Sequence, residues 1–447
     1  MSSPAPAAAR EAPLERALRD FDTLGAELPD EVVARALRRR AAEQLRRLGW
    51  PQARDEQWRY TNLRALERIA SFAPLAAPPE AAARGVDSLP DPIAGFERWL
   101  FVDGVRHAAP RAAARGGVAL PFPGAADSWS AGQRLGLLND MFARDAAVLR
   151  ISGEAAVELL FLSSAGAAGA ALYPRVHVEL SPGSRLQLIE RHLSAAPAPH
   201  SAVAGAAGSF VNTATTIELG GGAQLMHYRL QQCGPQTLFL DTLSARLQEQ
   251  ARYEVRHLAM GAAGARTSAR VRLAARGAAV GWQAIAIGHA EQVHDTTLEV
   301  EHAAAATRTD EVFRGIAEER ARLAFSAHIH VQSSAPGAEA RQSLRGLIEG
   351  AGAEIDLRPR LQIDTDEVSA QHGATTGRLD EQLLFYLLAR GLDRRTARSL
   401  LKWAFLGDVL RAIELPALRA QVEQSAAGQL QDVLAVGALP SGAGAAR

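Results

Sequence analysis

Lysine is almost absent from these 447 residues: Lys402 is the one lysine, and the remaining 48 of 49 basic residues are arginine. A Walker A loop places its lysine directly after glycine, whereas Lys402 follows leucines in RSLLKWAF, so nucleotide hydrolysis through a P-loop is excluded. A Schiff-base lysine would have to be that same helical residue. Cysteine is equally scarce, with Cys233 alone, which rules out a disulfide framework and a four-cysteine zinc or iron–sulfur site within one chain. Cys233 itself reads as a small buried hydrophobe or an inert thiol. Charges balance at 49 of each sign, so no basic field invites nucleic acid or an anionic membrane. No run of about 18 apolar residues is present to span a bilayer. No basic start followed by an apolar core opens the sequence, so a cytoplasmic location is expected.

What is present divides the chain into three textures. Residues 1–98 form the expected N-terminal helical domain with a loose Ala/Pro/Ser tail and a Pro/Ala-rich linker from Ala73 to Pro92. Within it Val32, Val33, Leu37, Ala41, Leu45 and Leu48 recur near a 3.6-residue period, and RDEQWRYTNL sets Trp58 and Tyr60 among charges. From residue 99 to 372 short alternating runs such as VHVEL, TTIEL, RYEVRHL and AHIHVQ are punctuated by glycine-bearing turns. Anchored on Leu180, Leu219, Leu247, Leu273 and Leu298, they settle to a spacing near 25 and predict stacked β-coils rather than a closed sandwich. From 373 to 447 the pattern is helical again, with Asp380 and Asp393 as N-caps and Gly391 and Pro416 as stops. The fold class is therefore mainly β with flanking α.

Two histidines, His328 and His330, share one face of a strand, but no third ligand follows at recognisable spacing, and they read as surface residues. No GxSxG elbow appears. A β-coil enzyme acting on polysaccharides needs only two carboxylates at the right separation and stands as the alternative, although 5% aromatic residues supply a sugar groove thinly. A purely structural solenoid is the other alternative. The segment IDTDEVSAQHGATTG places Asp364, Asp366 and Glu367 before His372, flanked by glycines. A neutral imidazole suits iron, zinc or copper, and a strand-to-helix corner is the bland reading of the same residues. The following EQLLFYLLAR is apolar round most of its circumference and must be covered, by its own core or by another protein.

At these residues the chain resembles the SufB/SufD family of the SUF iron–sulfur assembly machinery. The match lies in Asp366-Glu367, His372, Gly373-Ala374-Thr375, Leu379-Asp380, Phe385-Tyr386-Leu387 and Arg390-Gly391, with RDEQWRYTNL as a second, N-terminal point. Two positions depart from the family. Ala370 stands where a cysteine often precedes the histidine, and Pro336-Gly337-Ala338 replaces a Gln-Lys-Thr stretch. With that thiol missing, the resemblance implies the SufD rather than the SufB side of the family.

The resemblance implies a right-handed parallel β-helix between helical domains and a non-catalytic scaffold that binds no nucleotide. It implies pairing with a SufB-type paralogue through the β-helix, and docking of the SufC ATPase on the C-terminal helices, at Leu384, Phe385, Leu388, Leu401 and Phe405. His372, beside Asp366 and Glu367, is then the residue that offers iron or a nascent cluster, transient and shared with the partner, an imidazole.

Overall fold

The computed structural model describes residues 11–61, 63–75, 89–108, 129–164, 167, 169–195 and 208–430. The tail, most of the Pro/Ala linker and the chain beyond Leu430 lie outside them. Two sheets dominate, and the chain alternates between them. One runs from Ala147–Ile151 to Glu354–Ile363 and the other from Glu97–Val102 to Val368–Gly377, each strand pairing in parallel with the next strand of its own sheet. This is a parallel β-solenoid flanked by N- and C-terminal helices. The boundary at 372/373 falls inside its last strand, Val368–Gly377.

Alternation dictates the packing. In Ala338–Glu349 the even positions Ala338, Ala340, Gln342 and Leu344 are buried while Arg341 and Arg345 are exposed, so the even set faces the interior. Parallel register then stacks like on like: Leu180, Leu219, Leu247 and Leu273 are successive partners. The column continues through His302, not Leu298, so that coil is 29 residues long. The expected spacing near 25 is corrected here: coil length varies because the corners differ in length.

One corner is itself a ladder. Gly222, Gln250, Gly277, Ala306 and Gly337 each take positive φ. Each donates its N–H to a carbonyl of the next coil: Glu249, Arg276, Ala305, Pro336 and Glu367, at 2.7–3.1 Å. Glycine fits this left-handed turn without strain, and the non-glycine residues accept a cost for the bond gained. The Pro336-Gly337 departure from the family thus supplies the residue type this corner favours.

The N-terminal helices Pro13–Leu24 and Arg35–Leu48 pack with Gly136–Phe142 against the outer face of the first sheet, around Phe21, Leu45, Phe142 and Phe210. Trp58 is the plug: it is buried, and the Arg266 guanidinium lies 4.0 Å over its ring. Arg266 also pairs with Asp295, which accepts from the Thr61 hydroxyl at 2.6 Å. The C-terminal helices bury Trp403, Leu406, Val409 and Leu410 against Leu258, Ile285 and Ile316 on the outer face of the second sheet. Asp380 and Asp393 cap the first two of them as expected. The solenoid's flank, then, buries helices well. No described helix is long and apolar enough to cross a membrane.

Trp58→Ala removes the plug and the cation–π partner together. It should cost about 3–5 kcal/mol, read as a lower melting temperature and as faster proteolysis of the N-terminal helices. An unchanged melting profile would contradict this account of the N-terminal interface.

Candidate functional site at the open end of the solenoid

The two ends of the solenoid differ. At the N-terminal end of one sheet Glu97–Val102 is covered by an antiparallel partner, Val105–Ala108. At the other end both last strands, Glu354–Ile363 and Val368–Gly377, are terminal in their sheets; the first is mostly half-buried, the second largely exposed, and neither has a buried residue. An edge of this kind presents unpaired backbone donors and acceptors. The C-terminal helices lie on the flank and leave it open.

His372 stands in the middle of that last strand rather than at a strand-to-helix corner. Its position shares the inward-facing set with Val368 and Ala370, both packed against the interior cluster. It is exposed only because no further coil covers it. Its register partners run down the interior as Gln342, Glu311 and Trp282 on successive strands. Ala370 heads the neighbouring column above Ala340 and Thr309.

Glu311 is fully buried and accepts a hydrogen bond from Gln342 Nε2 at 2.8 Å, and among the described residues it forms no ion pair. Burial pushes its carboxyl up to about 8, against the smaller opposing effect of the Gln342 bond. A protonated acid therefore sits two coils beneath the exposed imidazole. Deeper in the interior a second polar group is charged and closed. Glu190 accepts from Arg229 at 3.1 Å and lies 2.8 and 3.0 Å from the Nε2 atoms of His192 and His227; Arg229 also pairs with Asp241 at 2.8 Å. Arg229 holds Glu190 well below the usual carboxylate range despite burial, while burial lowers His227.

The acidic residues expected beside His372 lie elsewhere. Asp366 and Glu367 are exposed at the corner before the strand, and five residues of strand set Glu367 about 17 Å from His372. Asp364 pairs instead with His330, at 2.7 Å, on the outer face of the other sheet. His328 and His330 share that outer face, and among the described residues no group of three His, Cys, Asp or Glu could hold a metal. Any iron at His372 must draw its other ligands from outside the described chain. Cys233 does not compete: it is buried, and burial pushes its thiol up to about 12, leaving almost no thiolate at neutral pH.

Among the helix residues, Leu384 is 1% exposed and belongs to the core, while Leu383, Phe385 and Tyr386 are 52%, 71% and 55% exposed. Leu388, Leu401 and Phe405 are half-buried. Sequence reasoning singled out His372 and Phe385 but missed Glu311 and Gln342. Offsets of 31 and 30 residues between Glu311, Gln342 and His372 were the available signal, once the coil length was fixed.

Residues 161–405 match the family model described as SUF system FeS cluster assembly, SufBD core domain. The chain is 27% identical over 394 residues to the iron-sulfur cluster assembly protein SufD of Escherichia coli, covering 85% of this chain and 89% of that protein. It is 28% identical over 416 residues to an iron-sulfur cluster assembly SufBD family protein of Synechocystis, covering 87% and 89%. With SufD of Bacillus subtilis the match is shorter, 29% over 138 residues, or 31% of this chain and 32% of that one.

Glu311 makes stability depend on pH. Its folded state holds the proton to about 8 while the unfolded chain releases it near 4.5, so stability is fully present below 4.5 and is lost as pH rises through 8. Glu311→Gln removes that loss, of a few kcal/mol at most. The variant's melting temperature should gain on the wild type from pH 5 to pH 8.5; a difference that stays flat across the range contradicts the assignment.

Proposed function

Because the chain belongs to the SufB/SufD family of iron–sulfur cluster assembly proteins, we propose that it is a non-catalytic scaffold subunit of that machinery in the cytoplasm. Its open solenoid end pairs with a SufB-type paralogue, its C-terminal helices dock the SufC ATPase, and His372 offers an imidazole to iron or a nascent cluster at the seam. The observation that carries the reading is the coincidence of His372 with two uncovered strand edges. A second solenoid of the same register would satisfy those edges and bring its own ligands to the imidazole.

The chemistry of the chain fits a shared site. One imidazole with no converging carboxylate and no accessible thiol is a partial ligand set, so sulfur ligation comes from the partner. The cluster is cargo in this scheme, held transiently and passed on. Leu383, Phe385 and Tyr386 are exposed on the helix that follows the last strand, and exposed apolar side chains of this kind support a docking surface there.

Co-expression with the SufB and SufC proteins of its own organism tests the assembly. A tagged chain should carry both through affinity and size-exclusion steps, whereas a lone or self-paired chain would remove the scaffold reading. Within that complex His372→Ala should leave assembly intact and lower cluster yield severalfold; full yield sinks the ligand role. Phe385→Asp should release the ATPase with the melting temperature unchanged, because Phe385 is exposed where Leu384 is core.

A further inference from the structure

The column beneath His372 has a direction. Gln342 is 4% exposed, and its amide nitrogen, which carries two N–H groups, faces two acceptors: Glu311 Oε2 at 2.8 Å and the Ala327 carbonyl at 3.3 Å. A protonated Glu311 could donate or accept and would leave the amide free to flip. The Ala327 carbonyl can only accept, and it decides the orientation. Both N–H groups are thereby committed to the interior, and Gln342 Oε1 is turned away from them. That oxygen is buried and has no hydrogen-bond partner among the described residues. A buried acceptor left unmade costs about 1–3 kcal/mol, so a donor belongs there.

The next side chain in the same inward-facing column, toward the open end, is His372, the register partner of Gln342. The two side chains are not hydrogen-bonded as they stand, but adjacent strands are about 4.8 Å apart, so a change of rotamer at the exposed imidazole brings a ring N–H within reach of that oxygen.

We infer that Gln342 is a positioning residue for His372: its Oε1 accepts the N–H of one ring nitrogen, fixes the tautomer, and leaves the lone pair of the other nitrogen directed out of the open end. Glu311 and the Ala327 carbonyl hold Gln342 in the orientation that makes this possible. A histidine that ligates a metal through one nitrogen is ordinarily oriented by an acceptor at the other. The use of this arrangement for cluster assembly rests on the role of His372 proposed above; the hydrogen bond itself does not.

The test is imidazole nitrogen NMR on the full-length chain labelled in histidine, at a pH where the ring is neutral, with His372 assigned by its loss in His372→Ala. The wild type should show one protonated and one unprotonated nitrogen, well separated in shift. Gln342→Met, of similar volume and without an acceptor, should move both shifts toward the average of the two tautomers. Identical shifts in wild type and Gln342→Met overturn the inference. If Gln342→Met does not fold, the wild type decides against a free peptide spanning residues 368–377: matching shifts overturn the inference, and a shifted tautomer balance upholds it. The measurement needs neither iron nor partner. A fixed tautomer with undiminished cluster yield in His372→Ala would uphold the positioning and remove the ligand role.

Discussion

In-register parallel stacking is the constraint on which everything else in this molecule depends. Each strand bonds to the strand one coil before and one coil after, so every interior side chain has its nearest like neighbours about thirty residues away in either direction. Apolar columns close on themselves without further demand. A polar residue in an interior column must find its partner on an adjacent coil or go unsatisfied. Glu190 and Arg229 meet that demand by pairing across neighbouring strands, and Glu311 meets it only in part, holding its proton and taking a bond from Gln342 at Oε2 while Oε1 has no partner among the described residues. The charge lies deep in the solenoid where it is fully paired; the neutral acid lies near the open end where it is not.

The same constraint sets what could be read from the sequence. Period-two alternation belongs to a single strand, and it marked the coils; cap residues act within three positions, and Asp380 and Asp393 stand at the helix starts where they were expected. Register is a relation between residues a coil apart, and the corners vary in length, so Leu298 was placed in a column that belongs to His302. In sequence Glu311 is one more charge beside Asp310. Only the strand pairing turns the first inward and leaves the second exposed.

The site was legible as a residue and not as an environment. His372 lies in a segment whose local composition is distinctive, but its direction follows from a strand parity that the glycines around it obscured. Asp366 and Glu367 are close in sequence and far in space because an extended chain moves more than 3 Å per residue. A turn or helix would have brought them back, and the segment is neither. The apolar circumference of Glu381–Ala389 demanded cover, and the fold provides it fully for Leu384 and in part for Leu387 and Leu388, leaving Leu383, Phe385 and Tyr386 to solvent. That remainder is the part of the helix sequence its own core does not explain.

Asymmetry between the two ends connects fold to function. A solenoid can end by folding a short antiparallel strand over its edge, as Val105–Ala108 does, or by laying a helix across it. Among the described residues the C-terminal end does neither, although helices of sufficient length follow at once. Those helices are drawn onto the flank by Trp403, Leu406 and Leu410, which find a ready apolar surface on the outer face of the sheet. The edge stays open at the coil where the interior column reaches its imidazole. A chain whose C-terminal helices lie on the flank keeps one incomplete coil, and the residue exposed by that incompleteness is His372.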